Sequence, residues 1–137
     1  MKNQTDKKRT GAFDLPQNSS EYTFIDLSGR PDNKDWQAFI KQRLTEAVRF
    51  EIHCWKEENR RISLAEKYGQ RADTGWDWGV VIQGEVTTDF AVMLLSQPQP
   101  DDRQIYNKMT PFFTIRFDSG YESGHWGTEN YAPAAKS

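Results

Sequence analysis

The chain has 137 residues, a formal net charge of -2, and eight Phe, five Tyr and five Trp side chains. This length is typical of one domain, and the sequence contains neither an apolar run near the ~20 residues that span a bilayer nor the apolar stretch of a signal peptide, so we expect a cytoplasmic protein. Cys54 is the only cysteine, which excludes an internal disulfide framework and a Cys-rich zinc module.

The charge is unevenly distributed along the chain. Residues 1–12 carry four basic side chains and one acidic one, whereas residues 13–137 carry fourteen basic and nineteen acidic ones, a balance of -5. Residues 73–100 contain four acidic residues and no basic one. Nucleic acids and anionic membranes attract basic surfaces, so the acidic body argues against both as partners and favours a basic protein.

The first structured elements are expected after a polar N-terminal stretch. We expect residues 1–20 to be a disordered polar and basic tail, followed by a short strand at Tyr22–Leu27. From Trp36 onward apolar residues recur with helical spacing, which predicts a long helical segment. An unbroken helix from Asn33 to Tyr68 would be about 54 Å long, more than the roughly 37 Å diameter of such a domain, so we expect a break near Glu58.

One part of this helical segment has a second interpretation. Val48, Phe50, Ile52 and Cys54 also alternate with polar residues, which is the pattern of a half-buried strand. The helix is the preferred prediction. In either case Cys54 falls on the apolar face, where we expect it to act as a buried small hydrophobe and not as a nucleophile.

The second half of the chain predicts shorter elements. In chain order these are a loop at 69–79, a strand at Val80–Val86, a helix at Thr88–Leu95 capped by Thr87, a strand at Pro111–Phe117 and an irregular strand at Tyr121–Tyr131. The sequence thus predicts a single α+β domain at 21–131 with a frayed tail at 132–137. Its long, broken helical segment and its short helix are expected to pack on a mainly antiparallel sheet of three or four strands.

The sequence contains no P-loop, dinucleotide-binding glycine motif, HExxH or GxSxG signature. The sharpest enzymatic hypothesis joins His53 and His125 with a carboxylate, Glu129 or else Glu51 or Glu122, for acid–base cleavage of a phosphodiester. Histidine suits this chemistry because its imidazole titrates near neutral pH. Nothing in the spacing requires the two histidines to meet, and we expect neither a metal nor a cofactor.

Two aromatic segments are candidates for a binding surface. Trp76, Asp77 and Trp78 lie between glycines, so the rings either project as a platform or cover a sheet edge. Residues 119–131 combine three glycines, two tyrosines, a Trp and a His, which is typical of a recognition loop or of a hairpin whose rings pack inward. The residues that we assign to a partner-binding surface are Trp76, Asp77, Trp78, Glu85, Asp89, Tyr121, Glu122 and Trp126.

Three features of the chain are typical of one known class of proteins. They are the acidic balance of residues 13–137, the acidic segment 73–100 with its tryptophans, and the aromatic stretch 121–131. In these features the chain resembles the small immunity proteins that bacteria make against their own secreted toxins. The resemblance implies a cytoplasmic, non-enzymatic α+β protein that binds a basic toxin-like domain and neutralises it by surface occlusion. The basic stretch 1–12 departs from the pattern. The alternatives are a small hydrolase or nuclease using His53, His125 and Glu129, and a structural or regulatory domain.

Overall fold

The computed structural model describes residues 22–102 and 106–133, so the predicted tail at 1–20 and the last four residues of the predicted tail at 132–137 lie outside the described residues. The tail was predicted to begin at 132, but Ala132 and Pro133 are the end of a strand that pairs with Thr23 and Tyr22, so this boundary is wrong by two residues. Over the described residues the chain forms three α-helices and one seven-stranded antiparallel sheet, in the order β1-β7-β6-β5-β2-β4-β3. The elements are β1 Tyr22–Asp26, α1 Lys34–Leu44, β2 Arg49–Trp55, α2 Asn59–Glu66, β3 Gln70–Ala72, β4 Gly79–Glu85, α3 Thr88–Ser96, β5 Thr114–Phe117, β6 Glu122–Gly124, the 3-10 turn His125–Gly127 and β7 Glu129–Pro133. The predicted α+β class is confirmed.

The predicted long helical segment is wrong, because its middle part is a strand. β2 lies inside the sheet, paired with β4 on one side and with β5 on the other. Its residues Phe50, Ile52 and Cys54 point to the helices, and Glu51 and His53 point to the opposite face. The prediction of three or four strands is also wrong: β3 and β6 have three residues each, too few to show a periodic pattern.

The core lies between the helices and one face of the sheet. Trp36 and Ile40 of α1 and Phe90 and Leu94 of α3 are buried there, and the Phe90 ring stacks on Phe50 of β2 with centroids 3.9 Å apart. Aromatic side chains bury large areas, which explains how a chain with few aliphatic residues builds a core. None of the helices in residues 22–102 and 106–133 is long and apolar enough to cross a membrane.

The start of α3 agrees with the predicted cap. Thr87 is in an extended conformation, and its Oγ1 accepts a hydrogen bond from the backbone N–H of Phe90 at 3.1 Å. Such a bond satisfies one of the N–H groups that a helix start leaves without a partner.

We expect Thr87→Ala to lower the free energy of unfolding by about 1 kcal/mol, because the helix loses this cap. Urea unfolding followed by tryptophan fluorescence measures the loss. Thr88→Ala is the matched control, since Thr88 is exposed and follows the cap. Equal stability losses in the two variants would contradict the assigned role of Thr87.

The second face of the sheet, which we call the polar face, carries buried charged residues. Neighbouring strands place six side chains in one cross-strand row: Gln83, Glu51, Arg116, Glu122, Tyr131 and Phe24. Gln83 donates to Glu51 at 2.7 Å, and Arg116 donates from Nε to Glu122 Oε1 at 2.7 Å. Beyond Glu122 the row runs towards the β1–β7 edge, where the face is open to solvent.

Candidate functional site: a groove at the β1–β7 edge

A groove of about 330 Å³ lies where β1, β7 and the segment before β5 meet. Acidic, aromatic and small polar side chains share its lining. They are Phe24, Asp26, Ser28, Tyr106, Asn107, His125, Thr128 and Glu129. Ligand sites are concave and combine apolar walls with a few converging polar groups, so this groove is the candidate site.

Two carboxylates from adjacent strands line the groove. Asp26 of β1 lies directly opposite Glu129 of β7. The next pair in the register is hydrogen-bonded through Leu27 N–H and Thr128 C=O at 2.8 Å. Hydrogen-bonded and non-hydrogen-bonded pairs alternate in antiparallel sheets, so Asp26 and Glu129 form a non-hydrogen-bonded pair, in which side chains come closest. Like charges in such positions repel each other.

The acidic side chains give the groove an anionic character. Hydrogen bonds from the backbone N–H and the hydroxyl of Ser28 hold the pKa of Asp26 below its usual value, so Asp26 is ionised at neutral pH. Burial raises the pKa of Tyr131, and the charges of Glu129 and Glu122 raise it further. Within the described residues, no hydrogen bond or ion pair neutralises the Glu129 carboxylate.

The walls of the groove are exposed aromatic rings. Phe24 is 52% exposed and Tyr106 is 43% exposed, although large apolar side chains are usually buried. The Phe24 ring lies against Tyr131, with centroids 5.0 Å apart. The Tyr106 ring lies edge-on to His125 at 5.1 Å and stacks on Trp126 at 5.3 Å. Both walls are therefore held by neighbouring aromatic rings.

The turn that carries His125 has an unusual backbone. His125, Trp126 and Gly127 all have positive φ angles, of 50°, 55° and 92°. This conformation is costly for residues other than glycine and persists only where the surroundings hold it. The Trp126 carbonyl accepts hydrogen bonds from the backbone N–H groups of Met109 at 2.7 Å and Thr110 at 3.2 Å. The turn thus fixes His125 at the groove.

The residues of the enzymatic hypothesis are divided between two places. His125 and Glu129 both line the groove. His53 lies on the buried part of the polar face, where its ring nitrogen is 3.3 Å from Glu51. Three strand spacings separate β2 from β7, so the backbones of His53 and Glu129 are about 14 Å apart.

The described residues contain neither a cluster arranged to hold a metal ion nor a reactive thiol. No group of three or more His, Cys, Asp or Glu side chains in residues 22–102 and 106–133 is arranged to hold a metal ion. Cys54 is buried on the apolar face, as predicted. Burial, and then the charge of Glu58, raises the pKa of its thiol to about 12, so the thiol is protonated at neutral pH.

The predicted acidic and tryptophan surface does not form one patch. Trp76, Asp77 and Trp78 precede β4, whereas Glu85 ends β4 and Asp89 follows in α3, so the two groups are about 20 Å apart. Trp78 is 64% exposed, and the ammonium of Lys56 lies 5.0 Å from its ring centre. Trp76 packs against Trp55 at 5.2 Å and covers Gly79, which agrees with the sheet-covering interpretation for this ring.

The other predicted surface residues lie inside the protein. Tyr121 is 1% exposed and donates its hydroxyl to Asn130 Oδ1 at 2.7 Å. Glu122 is paired with Arg116, and Trp126 is buried with its Nε1 donating to Glu58 Oε2 at 3.2 Å. Residues 121–131 therefore form a hairpin in which the Tyr121 and Trp126 rings pack inward, and Tyr121, Glu122 and Trp126 are not part of an exposed surface.

Phe24, Asp26 and Tyr106 line the groove but were not predicted as site residues from the sequence. The sequence pattern could have indicated two of them. Phe24 and Asp26 flank Ile25, which packs against the core, so they share the opposite face of β1.

Comparison with known proteins assigns no family or function to the chain: no protein-family model, curated protein or solved structure matches it.

Proposed function

We propose that this protein is a protein-binding module that neutralises a basic partner by occluding its surface, in the manner of an immunity protein. The observation that carries the proposal is the acidic pair Asp26 and Glu129, set between exposed aromatic rings in the groove. Two adjacent carboxylates without a cation repel each other, and a cationic side chain of a partner relieves this repulsion. The groove is therefore complementary to a lysine or an arginine on a protein surface.

The whole molecule supports such an interaction. The acidic balance of residues 13–137 attracts a basic partner and raises its association rate. Phe24 and Tyr106 then supply contact area of the kind enriched at the energetic centres of interfaces. Because β1 is the outermost strand of the described sheet, the groove opens at an edge that a partner chain can approach.

A binding experiment with a basic peptide tests the proposal. We expect acetyl-hexaarginine amide to bind the wild-type protein and to shift the amide NMR signals of residues around the groove. In the double variant Asp26→Asn, Glu129→Gln the dissociation constant should rise at least about tenfold, because both carboxylates lose their charge while keeping their shape. NMR titration at low and at physiological salt measures the change.

The matched control is Asp77→Asn, Glu85→Gln, which removes two exposed carboxylates elsewhere. It changes the net charge equally and should raise the dissociation constant less than about twofold, because long-range charge effects are screened by salt. If the control weakens binding as much as the groove variant does, the peptide is held by net charge alone and the groove is not the binding site.

A hydrolase is the second candidate function, because His125 and Glu129 share the groove. Its support is weaker, since Asp26 and Glu129 repel the phosphate groups of a phosphodiester substrate. A fluorescent RNA oligonucleotide tests this alternative. Cleavage by the wild-type protein that His125→Ala abolishes would favour the enzyme, and intact RNA would leave binding as the function.

A further inference from the structure

We infer that the groove accepts the guanidinium group of an arginine from the partner protein in preference to the ammonium group of a lysine. This inference rests on the proposed function and names the side chain that the groove recognises. It follows from the arrangement of acceptors in the groove, the exposed rings beside them and the contacts of Lys108.

The acceptors come from two strands and not from one point. Asp26 accepts the Ser28 N–H at 2.9 Å and a hydrogen bond from the Ser28 hydroxyl, and a carboxylate with about four acceptor positions keeps further ones for a ligand. Glu129 lies opposite, and within the described part of the chain its carboxylate has no hydrogen-bond donor. A planar guanidinium has five N–H donors in a fixed fork and can donate to both carboxylates at once. A lysine ammonium is a compact point charge with three donors.

The aromatic rings beside the carboxylates also favour a guanidinium over an ammonium. Phe24 and Tyr106 line the groove with exposed rings, and contacts with Tyr131, His125 and Trp126 restrict how these rings turn. A guanidinium stacks on aromatic faces and is more weakly hydrated than an ammonium, so it enters such a groove with a smaller loss of hydration.

Within residues 22–102 and 106–133, no lysine or arginine forms an ion pair with Asp26 or Glu129. Lys108 follows Tyr106 by two residues, but its ammonium donates to Asp102 Oδ2 at 2.7 Å and lies 4.4 Å from the Trp126 ring centre. Its charge is thus directed to a different carboxylate. Among the described residues, the acidic pair therefore has no cation that neutralises it.

Three peptides that differ in one side chain test the inference. They are acetyl-Gly-Ser-Xaa-Gly-Ser-amide with arginine, lysine or the uncharged arginine analogue citrulline as Xaa. We expect the arginine peptide to have a dissociation constant at least about threefold lower than the lysine peptide, and the citrulline peptide to bind more weakly than both. NMR titration of the wild-type protein at pH 7.5 measures all three constants.

A variant of the walls separates stacking from charge. Phe24→Leu, Tyr106→Leu keeps the carboxylates and changes two exposed side chains, so the fold is maintained. We expect it to bind the two charged peptides with constants that differ less than about twofold, because leucine offers no face for stacking. A variant that keeps the full wild-type preference would overturn the role of the rings.

The outcomes distinguish this inference from the proposed function. If wild-type protein binds the lysine peptide within threefold of the arginine peptide, and Asp26→Asn, Glu129→Gln weakens both, the preference for arginine is wrong and the groove remains a cation site. If neither charged peptide shifts the signals of groove residues, the proposed function itself is wrong.

Discussion

Replacing Arg116 by methionine should lower the free energy of unfolding by about 3–5 kcal/mol, the usual cost of removing one partner from a buried ion pair. The Arg116 side chain is 6% exposed and lies between Glu51 on β2 and Glu122 on β6. Methionine keeps an unbranched side chain, shorter than that of arginine, and removes the charge and the donors. The buried carboxylates then lose the cation between them. Urea unfolding followed by tryptophan fluorescence measures the difference.

Two further variants show where this loss originates. The double variant Arg116→Met, Glu122→Met removes the pair together and should be more stable than Arg116→Met alone, because no glutamate remains opposite the methionine on β6. Arg71→Met breaks an exposed pair in which Arg71 Nε is 2.6 Å from Glu66, and it should leave the unfolding midpoint nearly unchanged. A midpoint for Arg116→Met equal to that of Arg71→Met would show that burial contributes nothing to the Arg116 pair.

The strand β2 was predicted as part of a helix because its apolar residues fit both a helical and a strand period. In most antiparallel sheets one face is apolar and the other is solvated, and the strand signal is a clear alternation. In β2 the residues between Phe50, Ile52 and Cys54 are polar in sequence but buried in the structure. The apolar residues alone satisfy both a helix and a strand, and only the pairing with β4 and β5 decides between them. That pairing joins distant parts of the chain and leaves no local signal.

The predicted elements around clear local signals are confirmed. The strand β4 and the capped helix α3 were expected within one residue of their observed ends, because alternation and a threonine cap are properties of neighbouring residues.

The residues that line the groove were predicted only in part. His125 and Glu129 were candidates for chemistry, but Asp26 joins them through the pairing of β1 with β7, which connects the two ends of the described chain.

The second large effect is expected at Gly127, in the turn that carries His125. We expect Gly127→Ala to lower the free energy of unfolding by about 3 kcal/mol, because a left-handed backbone costs an L-residue roughly 1–2 kcal/mol and overpacking adds about 1–3 kcal/mol. The φ angle is 92°, and an added Cβ would lie 2.8 Å from Met109 Cβ and 2.9 Å from Trp36 Nε1. Trp36 is buried and donates Nε1 to Ser123 Oγ at 3.0 Å, so it cannot move away without losing this bond. Urea unfolding measures the loss.

Gly75→Ala separates the two contributions. Its φ of 74° is also left-handed, but a Cβ at this position meets no atom within 4 Å, so the variant reports the backbone cost alone. We expect a loss of about 1 kcal/mol, since alanine also reduces the entropy of the unfolded chain. Equal losses in Gly127→Ala and Gly75→Ala would contradict the close contact with Trp36 and Met109. A larger loss at Gly127 would indicate that the packing that holds Trp36 in the core also holds the turn in which His125 faces the groove, so the shape of the groove depends on the core.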